Sequence, residues 1–590
     1  MNDDRHQRSD SQYSGVFLIR LGIVLLLCLL IMFSGYLLVT DYHTFIKQAA
    51  GRYVRPDQLA RFRADLLTPD RYFALRWFIP GLGTLLLVVA AIVWKRIPGW
   101  VRQLANGGQT LIGSIKNVYR KTSTRERALL GLLIVTVVAS RLYFFFQLPL
   151  HIDERFTYLY FVSKGPLVSA AYYPNPNNHI LFSLLCTITD RFFDQPLLVL
   201  RTPALVTGLL ALGCSWLVAR YYFPAGVALL VTVLLAFTPP VFGYGIQGRG
   251  YSLLLCWVMI AAGSVVKIVS AQRAKPVYAW LFGLSSVLGF YTVPVFLYPF
   301  AGMSAYLLVF LLCKKDWSRL RYTGVLLFYI TAGVLILYLP VFLINGPNAV
   351  SGNSWVAPVD WAFFLPAIVP NLAESMYFLW NDLPLSPYVT LVVTGLAMVL
   401  AISQRTSSTE KHWLWLYVVC LWVVVPVVFL QRTLLYSRVL VFVLPLQWVA
   451  VAVILRRFLP SARYYFTVAA LVAVTHTVAC LHTFRYLALP TGRGIYNSLD
   501  GVANWLYEHR ADTVFVQYYE YGLCIRFKYE TNHQPIELDI GADRFSSQKK
   551  YTFVVVHKQH SFPALLMPSA YRLVYKDAEA TIYQRSQADF

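Results

Sequence analysis

The sequence predicts a mostly α-helical, polytopic membrane protein of about thirteen transmembrane helices, with a small C-terminal α/β domain outside the bilayer. Three observations carry this. The 590 residues are 57% hydrophobic and only 13% charged, against roughly 45–50% and about 25% in soluble domains. Apolar runs of about twenty residues, each able to cross a ~30 Å hydrocarbon core, recur up to about residue 485. Beyond Phe484 the pattern changes to short β-like runs: Thr513-Val514-Phe515-Val516, Tyr551 to Val556 and Ala580-Thr581-Ile582-Tyr583.

The expected spans lie near 16–40, 77–94, 128–148, 200–221, 224–243, 250–269, 277–292, 294–313, 323–344, 387–403, 413–430, 439–455 and 466–483. The first is too long for a signal peptide and lacks a small-residue cleavage site, so it is expected to stay as a helix. Three regions follow: 1–125, a tail with two extra helices and a basic cytoplasmic loop; 126–483, the membrane core; and 484–590, the external α/β domain, expected to cap the core or dock an acceptor. Asp500 to His509 has helical spacing within that domain.

Charge sets the orientation. With the N-terminus inside, the clusters Lys95 to Arg127, Lys267 to Lys275, Lys314 to Arg321, Arg405 to Lys411 and Arg456 to Arg463 all face the cytoplasm, as the positive-inside rule requires. Only the loop 41–76, with seven basic residues against four aspartates, dissents. The net charge of +23 is therefore topological and excludes nucleic acid as a partner. Parity also excludes a span over His179 to Phe193, which reads as an amphipathic helix on the outer membrane surface. The stretches 149–199 and 344–386 become long external loops. Seven of the eight cysteines sit in apolar runs with no metal-ligand spacing.

Carboxylates at a bilayer edge are costly unless something uses them. Asp153-Glu154 follows the third span, and Asp153 is the candidate base, with Glu154 beside it to hold an acceptor or a metal ion. Asn177-Asn178-His179 opens the surface helix, where anions are favoured. Gln247-Gly248-Arg249-Gly250-Tyr251 lies at the outer end of a span, with glycines that let a phosphate reach the backbone and the guanidinium. Arg432 and Tyr436-Ser437-Arg438 lie at another outer end, before Pro445. Arg201 and Lys164 are weaker candidates, His476 and His482 read as structural, and Trp355 is an external aromatic suited to stacking on a sugar. Carboxylate and arginines at one membrane face suit a lipid-borne phosphate substrate, since breaking a sugar–phosphate bond needs an acceptor base and cations on the leaving phosphate. No nucleotide motif is present.

Together these motifs resemble GT-C-type integral-membrane glycosyltransferases, in the bacterial branch related to protein O-mannosyltransferases and the lipid A aminoarabinose transferase. The resemblance spans about residues 125–485. It implies a polyprenyl-phosphate-sugar donor, an inverting transfer on the periplasmic side of an inner membrane, and catalysis under the first long external loop. Asp153 would then be acceptor base or positioning group with Glu154 beside it, and Arg249 and Arg438 would lie near the donor phosphate. No cofactor is called for; a divalent metal stays open with no ligand pattern pointing to it. Departures leave the sugar and the acceptor (lipid, glycan or protein) open: His179-Ile180-Leu181 stands where the mannosyltransferases have His-Pro-Pro, the aminoarabinose enzyme has a lysine-bearing motif there, and relatives often carry an acidic residue near Arg249-Gly250-Tyr251. Two rivals remain. A transporter or flippase for a lipid-linked glycan predicts ionisable groups midway through spans, and a non-catalytic envelope scaffold predicts no need for Asp153, Arg249 or Arg438.

Overall fold

Proline and charge decide where the apolar runs break into helices. The computed structural model describes residues 3–50, 68–271, 275–346, 348–350, 352, 357–541, 549–559 and 570–586; the middle of the dissenting loop 41–76 and Trp355 lie outside these. Among the described residues, ten helices are long and apolar enough to cross a membrane. All but one coincide with expected spans. The remaining expected spans are helical too: Asp3–Val39, Ala225–Ala236 followed by Pro239–Tyr244, Pro276–Thr292 and Ser386–Ile402. Pro239 and Pro240 divide the second of these, because neither can donate to the preceding turn.

The exception is Trp361–Leu379, inside the stretch expected to be an external loop. Its first residue packs under the Arg432 guanidinium, and Asn371 exchanges two hydrogen bonds with the Leu435 backbone (2.9 and 2.8 Å). Phe378, Asn381 and Asp382, at its other end, border a cavity with Gln247 and Leu487. Both ends therefore touch one end of the bundle, and the helix lies across that end.

Two further expectations are corrected. The basic stretch after Lys95 is mostly the helix Ile97–Lys121, in which Ile97, Val101 and Val118 are buried while Arg102, Lys116, Arg120 and Lys121 point away. This is an amphipathic helix of the interfacial kind. The segment His179 to Phe193 forms Ile180–Thr189, about 15 Å long and so too short to span. One face is more enclosed than expected: Ile180, Phe182, Ser183 and Cys186 are fully buried among neighbouring helices, while Ile188 is exposed.

The basic clusters gather at the end of the bundle remote from residues 432–438. Arg220 bonds Glu126 (2.7 Å) and the Lys121 carbonyl (2.9 Å), Arg319 bonds the Ala271 carbonyl (2.9 Å), and Arg457 bonds Glu410. The helix Tyr251–Ser270 is the most enclosed of the spans and forms the axis around which the others pack.

The C-terminal region is a five-stranded sheet in the order β2-β1-β3-β5-β4, with β1 Thr513–Val516, β2 Glu537–Ile540, β3 Phe553–His557, β4 Tyr571–Lys576 and β5 Ala580–Arg585. β1 is parallel to β2 and β3, and β5 is antiparallel to β3 and β4. Val514 and Val516 meet the helices Ile495–Glu508 and Tyr519–Thr531, burying Leu499, Val502, Leu506 and Ile525. Phe515, Val554 and Val556 cluster separately with Tyr551. β2, β4 and the second helix were not read from the sequence, because their exposed or alternating residues give no continuous apolar run.

This unit docks on a nine-residue helix of the membrane core, Ile152–Tyr160. Arg155 pairs with Asp500 (2.5 Å), Arg526 bonds the Tyr160 hydroxyl (2.9 Å), Lys164 pairs with Glu530 (3.4 Å), and Leu523 packs with Phe156, Leu159 and Phe161. Asp500→Asn is expected to weaken the docking by about 1.5–3 kcal/mol, the worth of a charged hydrogen bond. Limited proteolysis should then release the C-terminal unit faster while the membrane core stays intact.

Candidate active site

The tract after the third span is organised by helix ends. Thr124–Gln147 finishes with unpaired carbonyls, and Arg201 fills them, bonding the oxygens of Phe145, Leu148 (3.1 Å) and Pro149 (2.8 Å). Three residues later Ile152–Tyr160 begins, with His151 as its N-cap and Glu154 reaching back to the His151 N–H (2.8 Å) in a capping box. Arg201 and Glu154 bond each other through Nε and Nη2 (3.1 Å each), and both side chains are fully buried. A cation thus sits at one helix C-terminus and an anion at the next N-terminus, as the helix dipoles favour.

Glu154 Oε1 also accepts from the Gly248 N–H (2.8 Å). A Cβ on Gly248 would lie 2.6 Å from Leu200 Cβ, so only glycine lets this backbone approach. Burial pushes the Glu154 carboxyl up, but Arg201 and the backbone donors outweigh it and hold the group below its ordinary value. Both oxygens are spent on protein donors. The sequence paired Glu154 with Asp153 as a chemical group; its geometry makes it a structural anion instead.

Asp153 points the other way. Its Oδ2 lies 3.3 Å from Arg438 Nη1, 3.6 Å from Arg249 Nη2 and 3.9 Å from His151 Nδ1, and the side chain is one-quarter exposed. Burial pushes its pKa up, while Arg249, His151 and Arg438 more than offset this, so the carboxyl ionises below the ordinary aspartate value. Arg249 is 4% exposed and heavily engaged: Nη1 bonds the Asn177 side-chain oxygen and carbonyl (3.2 Å), and Nη2 lies 3.3 Å from His179 Nε2. Asn177 Nδ2 in turn bonds the Asp153 carbonyl (3.2 Å). His179 Nδ1 accepts from the Gly250 N–H (2.9 Å), and its ring meets Tyr251 edge-on at 4.8 Å. Burial, then Arg249 and Arg438, drive the His179 pKa far down, so the imidazole is neutral.

Asp153, Asn177, His179, Arg249, Tyr251 and Arg438 therefore converge, from four separate segments. Arg438 is the most accessible of the cations, 39% exposed, with its guanidinium over the Tyr436 ring at 5.0 Å. It lines an open cavity of about 500 Å³ shared with Asn371, Glu374, Thr433 and Ser437. The remaining candidates go elsewhere. Asn178 is buried and bonded to the Ser169 and Tyr172 carbonyls (2.9 Å each) and to Ser183, holding the loop. Arg432 stacks on Trp361 at 5.6 Å. Gln247 borders a second cavity of about 240 Å³ with Tyr244, Asp382 and Phe484. His476 bonds the Leu234 carbonyl (3.1 Å), as a structural histidine should. Among the described residues no three His, Cys, Asp or Glu side chains form a group able to hold a metal.

The sequence reading underrated Arg201 and passed over Glu374 and Tyr244. Arg201 was legible as an arginine fully inside an apolar run, which demands a buried anion. Glu374 was legible as the one carboxylate within Trp361–Leu379.

Among solved structures the chain is similar to ArnT from Cupriavidus metallidurans in the apo state, with a TM-score of 0.52 and 13% identity over 78% of this chain and 98% of that one. This is the ArnT fold. The polytopic helical core with a small C-terminal sheet, expected from the sequence, is thereby matched as a fold. ArnT bound to undecaprenyl phosphate aligns at 0.49 and 13% identity over 78% and 98% of the two chains. The Archaeoglobus fulgidus oligosaccharyltransferase, in complex with Zn and sulfate, aligns at 0.39 and 13% identity over 76% and 69%. No protein-family model and no curated protein matches the sequence.

Glu154→Gln leaves Arg201 buried without its counter-charge and is expected to cost about 3–5 kcal/mol. Thermal unfolding in detergent should show a large drop in Tm, partly reversed when Arg201→Met is added.

Proposed function

We propose that the chain is an inverting glycosyltransferase that moves a sugar from a polyprenyl-phosphate donor to an extracytoplasmic acceptor. The observation that carries this is the Asp153–Arg438 pair: an ionised carboxylate, one-quarter exposed, 3.3 Å from a part-exposed cation that itself lines the cavity. The ArnT fold and the motif resemblance to GT-C enzymes support the reaction class. The basic clusters at the opposite end of the bundle support a site facing away from the cytoplasm.

The two charges suit the two halves of the transfer. The acceptor oxygen forms a bond to the sugar's anomeric carbon as the bond from that carbon to the phosphate oxygen breaks. The acceptor's proton passes to Asp153 and then to solvent. The donor is a phosphodiester with one negative charge, and the departing lipid phosphate gains more as the bond breaks. A cation placed at that oxygen lowers the barrier because it interacts more strongly with the transition state than with the ground state. Arg438 has the exposure for this role. Arg249, nearly enclosed and bonded to Asn177, orients the carboxylate and adds positive potential. No metal is required by this scheme.

Asp153, held between cations, is an acceptor-orienting base that stays ionised down to low pH. Its depressed pKa means that activity holds from neutral pH downward and is lost only as pH falls through that low value. Arg438→Gln removes one stabilising cation, so the Asp153 pKa rises and the acid limb of the single-turnover rate moves to higher pH, on top of a lower plateau. Proteoliposome assays over about pH 4–8, bracketing the ordinary carboxylate range, would read this. In cells lacking the protein, mass spectrometry should show one polyprenyl-phosphate sugar accumulating. Wild type should clear it and Asp153→Asn should not; rescue by Asp153→Asn, or no change in any lipid-linked sugar, would reject the reading.

A further inference from the structure

The cavity that Arg438 lines is shared with Asn371, Glu374, Thr433 and Ser437. The cavity of about 500 Å³ falls within the ~300–1,000 Å³ of small-molecule sites. Its floor is fixed, because Asn371 is tied to the Leu435 N–H and carbonyl and cannot swing away. Ser437 and Thr433 contribute hydroxyls to the wall. Glu374, one turn after Asn371 on the same helix, brings a carboxylate with no hydrogen-bond or ion-pair partner among the described residues. A carboxylate offers only acceptor sites, and an anion already stands nearby at Asp153.

Resting on the transferase reading, we propose that this cavity is the glycosyl subsite and that Glu374 is its specificity residue, accepting hydrogen bonds from the sugar and admitting a non-anionic sugar while rejecting an acidic one. The arrangement divides the donor between two neighbours. Arg438 takes the phosphate, which every polyprenyl-phosphate sugar shares, and Glu374 reads the group that distinguishes one sugar from another. Discrimination follows from repulsion as much as attraction: a uronate carboxylate beside Glu374 sets a second anion against the one already in the cavity wall. A hydroxyl or an ammonium on the sugar supplies the missing donor, and these two sources are separable by the donors offered.

The test uses the full-length protein in liposomes with four probes: undecaprenyl phosphate bearing no sugar, a neutral hexose, an amino sugar, or a uronic acid. Wild type is expected to favour the neutral or amino-sugar donor over the uronate by at least about tenfold, the scale of one charged hydrogen bond. A hexose preference identifies the hydroxyl source, and an amino-sugar preference the ammonium source. Glu374→Gln should erase the discrimination against uronate and Glu374→Lys should reverse it, with binding of the bare lipid phosphate unchanged. Glu374 is exposed, so both variants should fold, with thermal unfolding as the check. A ratio that does not move in either variant, or an equal loss for bare and glycosylated lipid, overturns the subsite and leaves the transferase reading standing. A wild-type protein that binds none of the four overturns that reading and the subsite with it.

Discussion

The buried pair of Glu154 and Arg201 is the constraint on which the site depends. It joins the end of one helix, the start of the next and the Gly248 backbone of a third segment. An ion pair taken fully out of water is favourable only when its remaining donors and acceptors are satisfied. Here they are met by backbone groups that the two helix ends leave unpaired. The desolvation cost of the charges is thus offset by the same polar groups that would otherwise be stranded in an apolar environment. Because Arg249 and Gly250 directly follow Gly248, fixing that backbone also fixes the partners of Asp153 and His179.

Adjacent residues divide the labour. Asp153 and Glu154 share composition and sequence context, yet one helical step turns them to different faces. Glu154 is inside with both carboxylate oxygens satisfied by protein donors, and Asp153 is one-quarter exposed with its charge against Arg438. The arginines divide similarly. Arg249 has lost its exposure and its free donors to Asn177, while Arg438 keeps access. Burial strengthens the field that an inner group exerts, and exposure lets an outer group meet a ligand. The proposed binding of a lipid phosphate, without collapse onto the site's own carboxylate, draws on both kinds.

Fold class, the span positions and most of the converging residues were legible in the sequence because membrane insertion writes itself in composition. Long apolar runs, basic clusters on one side and costly polar groups at the other edge are all one-dimensional signals. What escaped was set in three dimensions. The sequence cannot say which of two neighbouring carboxylates turns inward, because that depends on an arginine 47 positions away. Trp361–Leu379 was missed because two prolines and a carboxylate dilute its apolar character. Ile180–Thr189 was correctly kept from spanning, but its burial arises from packing that parity does not describe.

The helix Ile152–Tyr160 connects these levels. Nine residues are too few to hold a helix in water by themselves, since nucleation outweighs the few bonds gained. It persists because its start is locked by Glu154 and Arg201 and its outer face is covered by the C-terminal unit through Arg155–Asp500 and the Leu523 cluster. Asp153 sits between those two restraints. Its direction toward Arg438 is therefore set jointly by the membrane core and by a unit some 345 residues further along the chain. His151, the N-cap of the same helix, also touches Tyr496 of that unit at 5.6 Å. A contact made at the docking face is thus two residues from the carboxylate, and any change in how the unit sits reaches Asp153 through a helix too short to absorb it.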